Sequence, residues 1–359
     1  MMMRLSPIPG NGNLKNHGIS GKIRFDPDHL VPPLQSHLVN RCRRLLTLYT
    51  AWLLFSLVPP TLAAGDTWTE NSWLAPPGHL VDIGGLRLHI DCQGEAGPVV
   101  IMDSGIGGFS LEWTAVQRVL AGKVKSCAYD RAGYGWSDPS PHPRTTDRII
   151  EELDRLLEKE GLEPPYILVG HSFGGYNVQD FAKHYPVLTA GLVLIDSSHP
   201  EQFSRLPEIP AHREQARSSD IVTLFLGYST FKYYPEDVRF QAMEMMSQKK
   251  MFETFRRETM NFDTSGKQVL RAGRIPEVPL VVITRGKRAW PESPYGDALE
   301  ASWLEMQKEL AELTLSGRQI IAANSRHMIH LEQPDLVASA IMTVVREVRQ
   351  GIAEKSPLR

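Results

Sequence analysis

The stretch Tyr166-Ile167-Leu168-Val169-Gly170-His171-Ser172-Phe173-Gly174-Gly175 decides how the rest of the chain is read. Its first four residues form an apolar run, Gly170 closes that run, and Tyr176–His184 beyond Gly175 read as a helix. A serine between a strand and a helix, in the pattern Gly-x-Ser-x-Gly, sits on a tight turn. Glycines flank it because neighbouring backbone comes too close for a Cβ. The turn lifts the Ser172 hydroxyl above the sheet edge and leaves the Phe173 amide, at the helix amino end, pointing the same way. The pattern alone arises by chance; the strand before it and the helix after it make it informative. Ser172 is the candidate nucleophile, and a serine hydroxyl is a poor one until a base takes its proton.

Working outward, strand-like and helix-like stretches alternate. His79–Ile83 and Leu86–Cys92 flank Gly84-Gly85 and read as a hairpin. Pro98–Met102, Val124–Tyr129, Gly191–Ile195, Leu280–Thr284 and Gln319–Ala322 complete the strand set; the continuous apolar runs among them are those of strands buried on both faces. Arg148–Glu160 carries Ile149, Ile150, Leu153, Leu156 and Leu157 at helical spacing, and a last helix opens at Pro334-Asp335 with Val337, Ile341, Val344, Val345 and Val348 on one face. Strands separated by helices predict an α/β fold: a mostly parallel sheet covered by helices on both faces.

The base must come from 12 histidines. His327 follows the late strand Gln319–Ala322 and precedes the final helix, which puts it at the sheet edge where Ser172 lies. His330, three positions on, is its rival. His171 adjoins the nucleophile, but neighbours on such a turn point apart, so it is read as a packing residue.

Bulk properties exclude more than they assign. The chain is 42% hydrophobic and 22% charged with net charge −2, so it can bury a large core and offers no electrostatic grip on nucleic acid. Cys42, Cys92 and Cys127 form no Cys-x-x-Cys pair and no metal-ligand spacing; no cofactor is expected. Residues 1–40 read as unstructured. Arg41, Arg43 and Arg44 then lead into the 14-residue uncharged run Leu45–Val58, followed by Pro59, Pro60 and the small residues Ala63, Ala64 and Gly65. The segment 41–65 therefore reads as an export signal with the mature protein starting near Gly65, or as an uncleaved membrane anchor through residues 45–58. Either places the protein outside the cytoplasm, periplasmic or secreted.

From about His79 to Val348 the chain resembles bacterial α/β-fold hydrolases of the esterase-like kind. The resemblance rests on Asp103-Ser104-Gly105-Ile106-Gly107-Gly108, Tyr129-Asp130-Arg131-Ala132-Gly133-Tyr134-Gly135-Trp136-Ser137, the Gly170–Gly175 turn and the histidine loop through Leu331, Glu332, Gln333 and Pro334. It implies a core of residues 78–198 and 276–352 and a helical cap, residues 199–275. It implies a serine hydrolase that cleaves carboxylic esters through an acyl-enzyme on Ser172, with Ile106 and Phe173 supplying the oxyanion amides. Amide, thioester, acyl-transfer or carbon–carbon bond chemistry on the same residues, or a silent binding protein, are the alternatives. Epoxide hydrolysis is disfavoured, because relatives with that activity carry an aspartate where Ser172 stands. Many relatives place the third catalytic residue, an acid, after the strand Leu280–Thr284. Spacing there falls near Arg288, which cannot serve, so Asp196 at the end of Gly191–Ile195 is the candidate acid, with Asp297 and Glu292 as fallbacks. The strands carrying Cys92 and Cys127 are neighbours in that fold, which allows a disulfide. The proposed cap is rich in Met and aromatic residues, so the substrate's acyl or alcohol part is expected to be apolar.

Overall fold

The computed structural model describes residues 75–207 and 231–355; the expected leader and anchor segments lie outside them. Eight strands form one sheet in the order β1-β2-β4-β3-β5-β6-β7-β8. These are β1 (His79–Asp82), β2 (Arg87–Gln93), β3 (Val100–Asp103), β4 (Ser126–Tyr129), β5 (Tyr166–His171), β6 (Thr189–Ile195), β7 (Leu280–Arg285) and β8 (Arg318–Ala322). The first two run antiparallel to their neighbours and the other pairings are parallel. The expected α/β architecture is the observed one, with strand ends moved by one or two residues.

The apolar runs split by period two. Val100, Met102, Ile167, Val169, Val193, Ile195, Val281 and Ile283 pack on one face of the sheet. There they meet α1 (Thr114–Leu120) and the last helix (Pro334–Lys355). The alternate residues Ile101, Leu168, Leu192, Leu194, Leu280 and Val282 pack on the other face, against Ile150, Leu153, Leu156 and Leu157 of α2 (Thr146–Lys159) and Val178 and Phe181 of α3 (Gly174–His184). Burial on both faces is why these strands read as unbroken apolar runs rather than alternating ones.

Register then decides which residues leave the sheet together. His171 lies opposite Ile195, and Ile195 opposite Ile283. The next residues, Ser172 and Asp196, therefore emerge side by side at the carboxyl edge, beside the end of β7. On the far side of the sheet, Cys92 and Cys127 are directly opposed on β2 and β4 and joined by a disulfide.

Between β6 and β7 the described residues form helices: α4 (Gln202–Arg205), α5 (Glu236–Met246), α6 (Lys249–Met260) and α7 (Phe262–Arg271). Part of the Met and aromatic set is structural. Tyr234, Met245 and Met251 are buried with Phe109, Tyr134 and Leu331, whereas Phe240, Phe252 and Met260 are largely exposed. Phe225 and Tyr228 lie outside the described residues. After β7 comes α8 (Pro294–Ala311), which sequence periodicity alone did not reveal. Its start is legible in retrospect: Ser293 accepts a hydrogen bond from the Gly296 amide at 3.0 Å, and Pro294 is its first residue.

Helix α3 carries an internal conflict. The Asp180 carboxyl is fully buried, neither oxygen has a hydrogen-bond partner among the described residues, and His184 Nδ1 stands 3.4 Å from it. Burial raises its pKa from the ordinary 3.8 to about 7, the nearby His184 only partly offsetting this. Folding therefore takes up a proton between those two values, and stability falls as pH rises through the window. Asp180→Asn is expected to stabilise the fold by about 2–4 kcal/mol at pH 8 and by almost nothing at pH 4. Thermal denaturation at the two pH values checks this; an equal gain at both would contradict it.

Candidate active site

Ser172 is held in a left-handed backbone conformation, φ 51°, which a residue bearing a Cβ adopts only when its surroundings enforce it. The enforcing bonds come from the neighbouring strand, the loop after it and the first turn of α3. Ser172 N donates to the Ile195 carbonyl at 3.1 Å, and the Ser172 carbonyl accepts from Ser198 N at 3.0 Å and Gly175 N at 2.9 Å. Close approach also explains the glycines: a Cβ at Gly174 would lie 2.3 Å from the Asp103 carbonyl oxygen. One at Gly105 would lie 3.3 Å from Ser172 Cβ, so the loop after β3 runs against the serine. Ile106 and Phe173 share one apolar cluster with Tyr176, packed against Phe255 and Phe262 of the insertion. Among the described residues no hydrogen bond from the Ile106 or the Phe173 amide is found.

His327 is brought to the same edge. Its Nδ1 is 2.7 Å from Asp196 Oδ2, its ring centroid is 4.7 Å from that of His171, and its carbonyl lies 3.0 Å from His171 Nε2. His330 is elsewhere: fully buried, stacked on Trp113 at 4.6 Å, with Nε2 3.4 Å from Glu112 Oε2. Asp297 and Glu292 are both exposed, and Asp297 pairs with Arg288 at 2.6 Å in the first turn of α8. The stretch Trp290–Gly296 leads into α8, with Ser293 capping the helix and Pro294 as its first residue. His171 is fully buried and held neutral, its pKa well below the usual imidazole value; burial is the main cause, with His330 and His327 adding to it.

Asp196 is more elaborately held than its sequence position suggests. It too has a left-handed backbone, φ 39°, with its amide bonded to the Ile283 carbonyl at 2.7 Å. Oδ1 accepts from Trp303 Nε1 at 2.9 Å and from the Arg285 amide at 3.3 Å; Oδ2 lies 3.1 Å from Arg285 Nη1. Burial alone would raise this carboxyl's pKa, but Arg285, then the His327 and Trp303 hydrogen bonds, bring it below the usual carboxylate value. Arg285 also lies against Trp290 and Trp303, 4.8 and 4.9 Å from their ring centres, and pairs with Glu300 at 3.0 Å. Sequence reasoning missed Arg285, Glu300 and Trp303. The sole local signal was an arginine closing an otherwise apolar strand.

On the other side of the serine, the Asp130–Ser137 segment supplies Arg131. This buried guanidinium reaches Asp103, the carbonyls of Ser104 and Gly105, and Glu258 of α6. Two sets of three side chains could bring metal-ligand atoms within 4.8 Å of one another: Glu112, His171 and His330, and His199, Glu201 and Glu309. In the first set, which is buried, the His171 and His330 rings lie 4.3 Å apart and His330 Nε2 stands 3.4 Å from Glu112 Oε2. In the second, Arg205 already engages the Glu309 carboxylate. No step below needs a metal.

The fold has known counterparts. A family model described as "Alpha/beta hydrolase family" matches residues 99–340. The chain belongs to the alpha/beta hydrolase family. It is similar to Epoxide hydrolase 4 of Mus musculus, 24% identical with 73% of this chain and 77% of the mouse protein covered. Among solved structures it resembles a thermophilic esterase from Thermogutta terrifontis (TM-score 0.50, 21% identity, 73% of this chain and 94% of that one). It also resembles the enol-lactonase from Burkholderia xenovorans LB400 (TM-score 0.56, 16% identity, 75% of this chain and all of that one, 100%). At such identities the solved structures speak for the hydrolase fold alone.

Replacing Arg285 would strand Asp196 and Glu300 in the interior without their cation. Arg285→Met is expected to cost about 3–5 kcal/mol of stability. Urea denaturation followed by tryptophan fluorescence measures it, and a loss below about 1 kcal/mol would show that the pair is dispensable.

Proposed function

We propose that this hydrolase-family protein cleaves carboxylic esters through an acyl-enzyme on Ser172, with His327 as base and Asp196 as the acid that orients it. The observation that carries this reading is the 2.7 Å contact between His327 Nδ1 and Asp196 Oδ2 at the sheet edge where the left-handed Ser172 emerges. A charged acceptor on Nδ1 keeps the proton there and leaves Nε2 to face the serine. Ser172 Oγ attacks the ester carbonyl carbon while its proton passes to His327. The oxyanion that forms is received by the Ile106 and Phe173 amides, and collapse expels the alcohol, which takes the proton back from His327. Water, deprotonated by His327, then releases the acid and restores the serine.

Several features support an ester with an apolar acyl or alcohol part. Ile106, Phe173, Phe255 and Phe262 surround the proposed oxyanion site, and Arg131, beside it, is fully engaged. Epoxide opening of the mouse relative's printed kind would call for a carboxylate nucleophile where Ser172 stands. The helices between β6 and β7 serve in this reading as the cap over the site. The reading also retains export through residues 41–65, by a cleaved signal or an anchor. The Cys92–Cys127 disulfide supports it, since such bonds persist in oxidising compartments. Among the described residues no helix is long and apolar enough to cross a membrane.

A fluorophosphonate probe is expected to label the wild type and not Ser172→Ala. His327→Ala should lose about 10³-fold or more in turnover, and Asp196→Asn about 10²–10⁴-fold, with Asp297→Asn near wild type. A panel of p-nitrophenyl esters, amides and thioesters read by kcat/KM identifies the bond cleaved. Labelling that survives Ser172→Ala would remove the nucleophile, and activity confined to amides or thioesters would reassign the chemistry. For location, amino-terminal sequencing of exported protein should begin near Gly65; recovery of intact residues 1–64 in a soluble cytoplasmic fraction would exclude export.

A further inference from the structure

We infer that Glu258, on helix α6 of the insertion, is a positioning residue for the oxyanion site: acting through Arg131, it sets the direction of the Ile106 amide. The inference rests on the Ser172 reading above and deepens it.

A guanidinium offers five N–H groups in a rigid planar fork. Arg131, 1% exposed at its side chain, makes five hydrogen bonds. Nη1 donates to Asp103 Oδ1 and to the Ser104 carbonyl, both at 2.6 Å. Nη2 donates to the Gly105 carbonyl and to Glu258 Oε2, both at 2.9 Å, and Nε donates to Glu258 Oε1 at 3.0 Å. Glu258 thus holds the fork along its Nε–Nη2 edge, and the remaining donors fall on the loop after β3.

The decisive bond is the one to the Gly105 carbonyl. That carbonyl and the Ile106 N–H belong to the same peptide unit, which is planar and trans, so the two point in opposite directions. Pulling the Gly105 oxygen toward Arg131 therefore turns the Ile106 N–H away from Arg131. A second strut holds the other side of Ile106. Tyr134 Oη donates to Glu258 Oε2 at 2.9 Å and accepts from the Gly107 amide at 3.1 Å. Both peptide units next to Ile106 are tied to the same buried carboxylate through one intervening side chain, Arg131 on one side and Tyr134 on the other.

Close packing makes Glu258 a report on where its helix sits. A Cβ at Gly133 would fall 2.0 Å from Thr254 Oγ1, and one at Gly107 would fall 3.2 Å from Phe255, so α6 lies directly on both loops. Lys250 Nζ and Arg257 Nη1 donate to the carbonyls of Ser137 and Ser140 at 3.0 and 2.7 Å along the same edge. The amide that would receive the oxyanion is thereby oriented by a side chain from a helix outside the sheet.

The test uses the full chain, p-nitrophenyl butyrate as substrate and an alkyl trifluoromethyl ketone, whose serine adduct carries the oxyanion. Glu258→Gln is expected to lower kcat about 10- to 100-fold, with KM within about threefold and ketone affinity falling in parallel with kcat/KM. Glu309→Gln, which breaks the Arg205–Glu309 pair that ties α4 to α8, should leave all three values near wild type. If Glu258→Gln does not fold, Tyr134→Phe is read by the same three values and is expected to shift them in the same sense. Unchanged kcat and ketone affinity overturn the inference. So does an equal loss of substrate and ketone binding, or an equal loss in Glu309→Gln, since each marks general loosening. Fluorophosphonate labelling of the wild type separates the two readings: if Ser172 does not label, the nucleophile assignment has failed, whereas a labelled serine with an unaffected Glu258→Gln removes only the role of Glu258.

Discussion

The left-handed turn at Ser172 is the constraint on which the surrounding structure depends. A residue with a Cβ in that conformation costs roughly 1–3 kcal/mol and persists only where its neighbours over-determine it. Here the neighbours are backbone: the Ile195 carbonyl on one side, and the Ser198 and Gly175 amides on the other. Those bonds require β6 to lie beside β5 in the observed register, and that register delivers Asp196 next to Ser172. The same turn brings α3 so close to the loop after β3 that Gly174 cannot carry a side chain. The serine turn, Asp196 and the loop after β3 are therefore one mechanical unit.

Around that unit the charges follow a common plan. Two buried arginines flank Ser172, and each is shared between an acid that ends a core strand and an acid on a helix. Arg285 joins Asp196 to Glu300 of α8, and Arg131 joins Asp103 to Glu258 of α6. Removing charges from water is expensive, so such pairs are weak devices for stability in themselves. What they do well is specify geometry, because a planar fork accepts carboxylates only in its own plane. Each arginine converts the position of a helix into the position of an atom at the proposed site. The indoles of Trp290 and Trp303 pack against Arg285 and help shield it from water.

His171 shows the same economy. It is excluded from acid–base work by burial, which keeps it neutral, yet its Nε2 meets the carbonyl of His327. The residue before Ser172 thus anchors the loop that carries the proposed base. His330 packs behind it on Trp113, where an imidazole serves as a flat buried ring.

Local sequence determined much of this protein. Apolar runs of strand length, helical spacing from Arg148 to Glu160 and from Pro334 onward, and glycines around Ser172 are consequences of nearest-neighbour geometry, so the sheet, its covering helices and the serine turn could be read directly. His327 and Asp196 were legible because both must lie at the carboxyl ends of strands. The helix Pro294–Ala311 was hidden, since Pro294 and Pro291 look like loop residues until Ser293 is seen capping an amide. Arg285, Trp303, Glu300, Arg131 and Glu258 carry no local signature of their roles. Each acts on a partner far away in the chain, 127 positions for Arg131 and Glu258, and such pairings exist only once the elements are packed. Sequence determined which residues could reach the sheet edge; tertiary structure alone decided what holds them there, because a hydrogen bond between distant residues depends on the placement of two elements and not on the spacing within either.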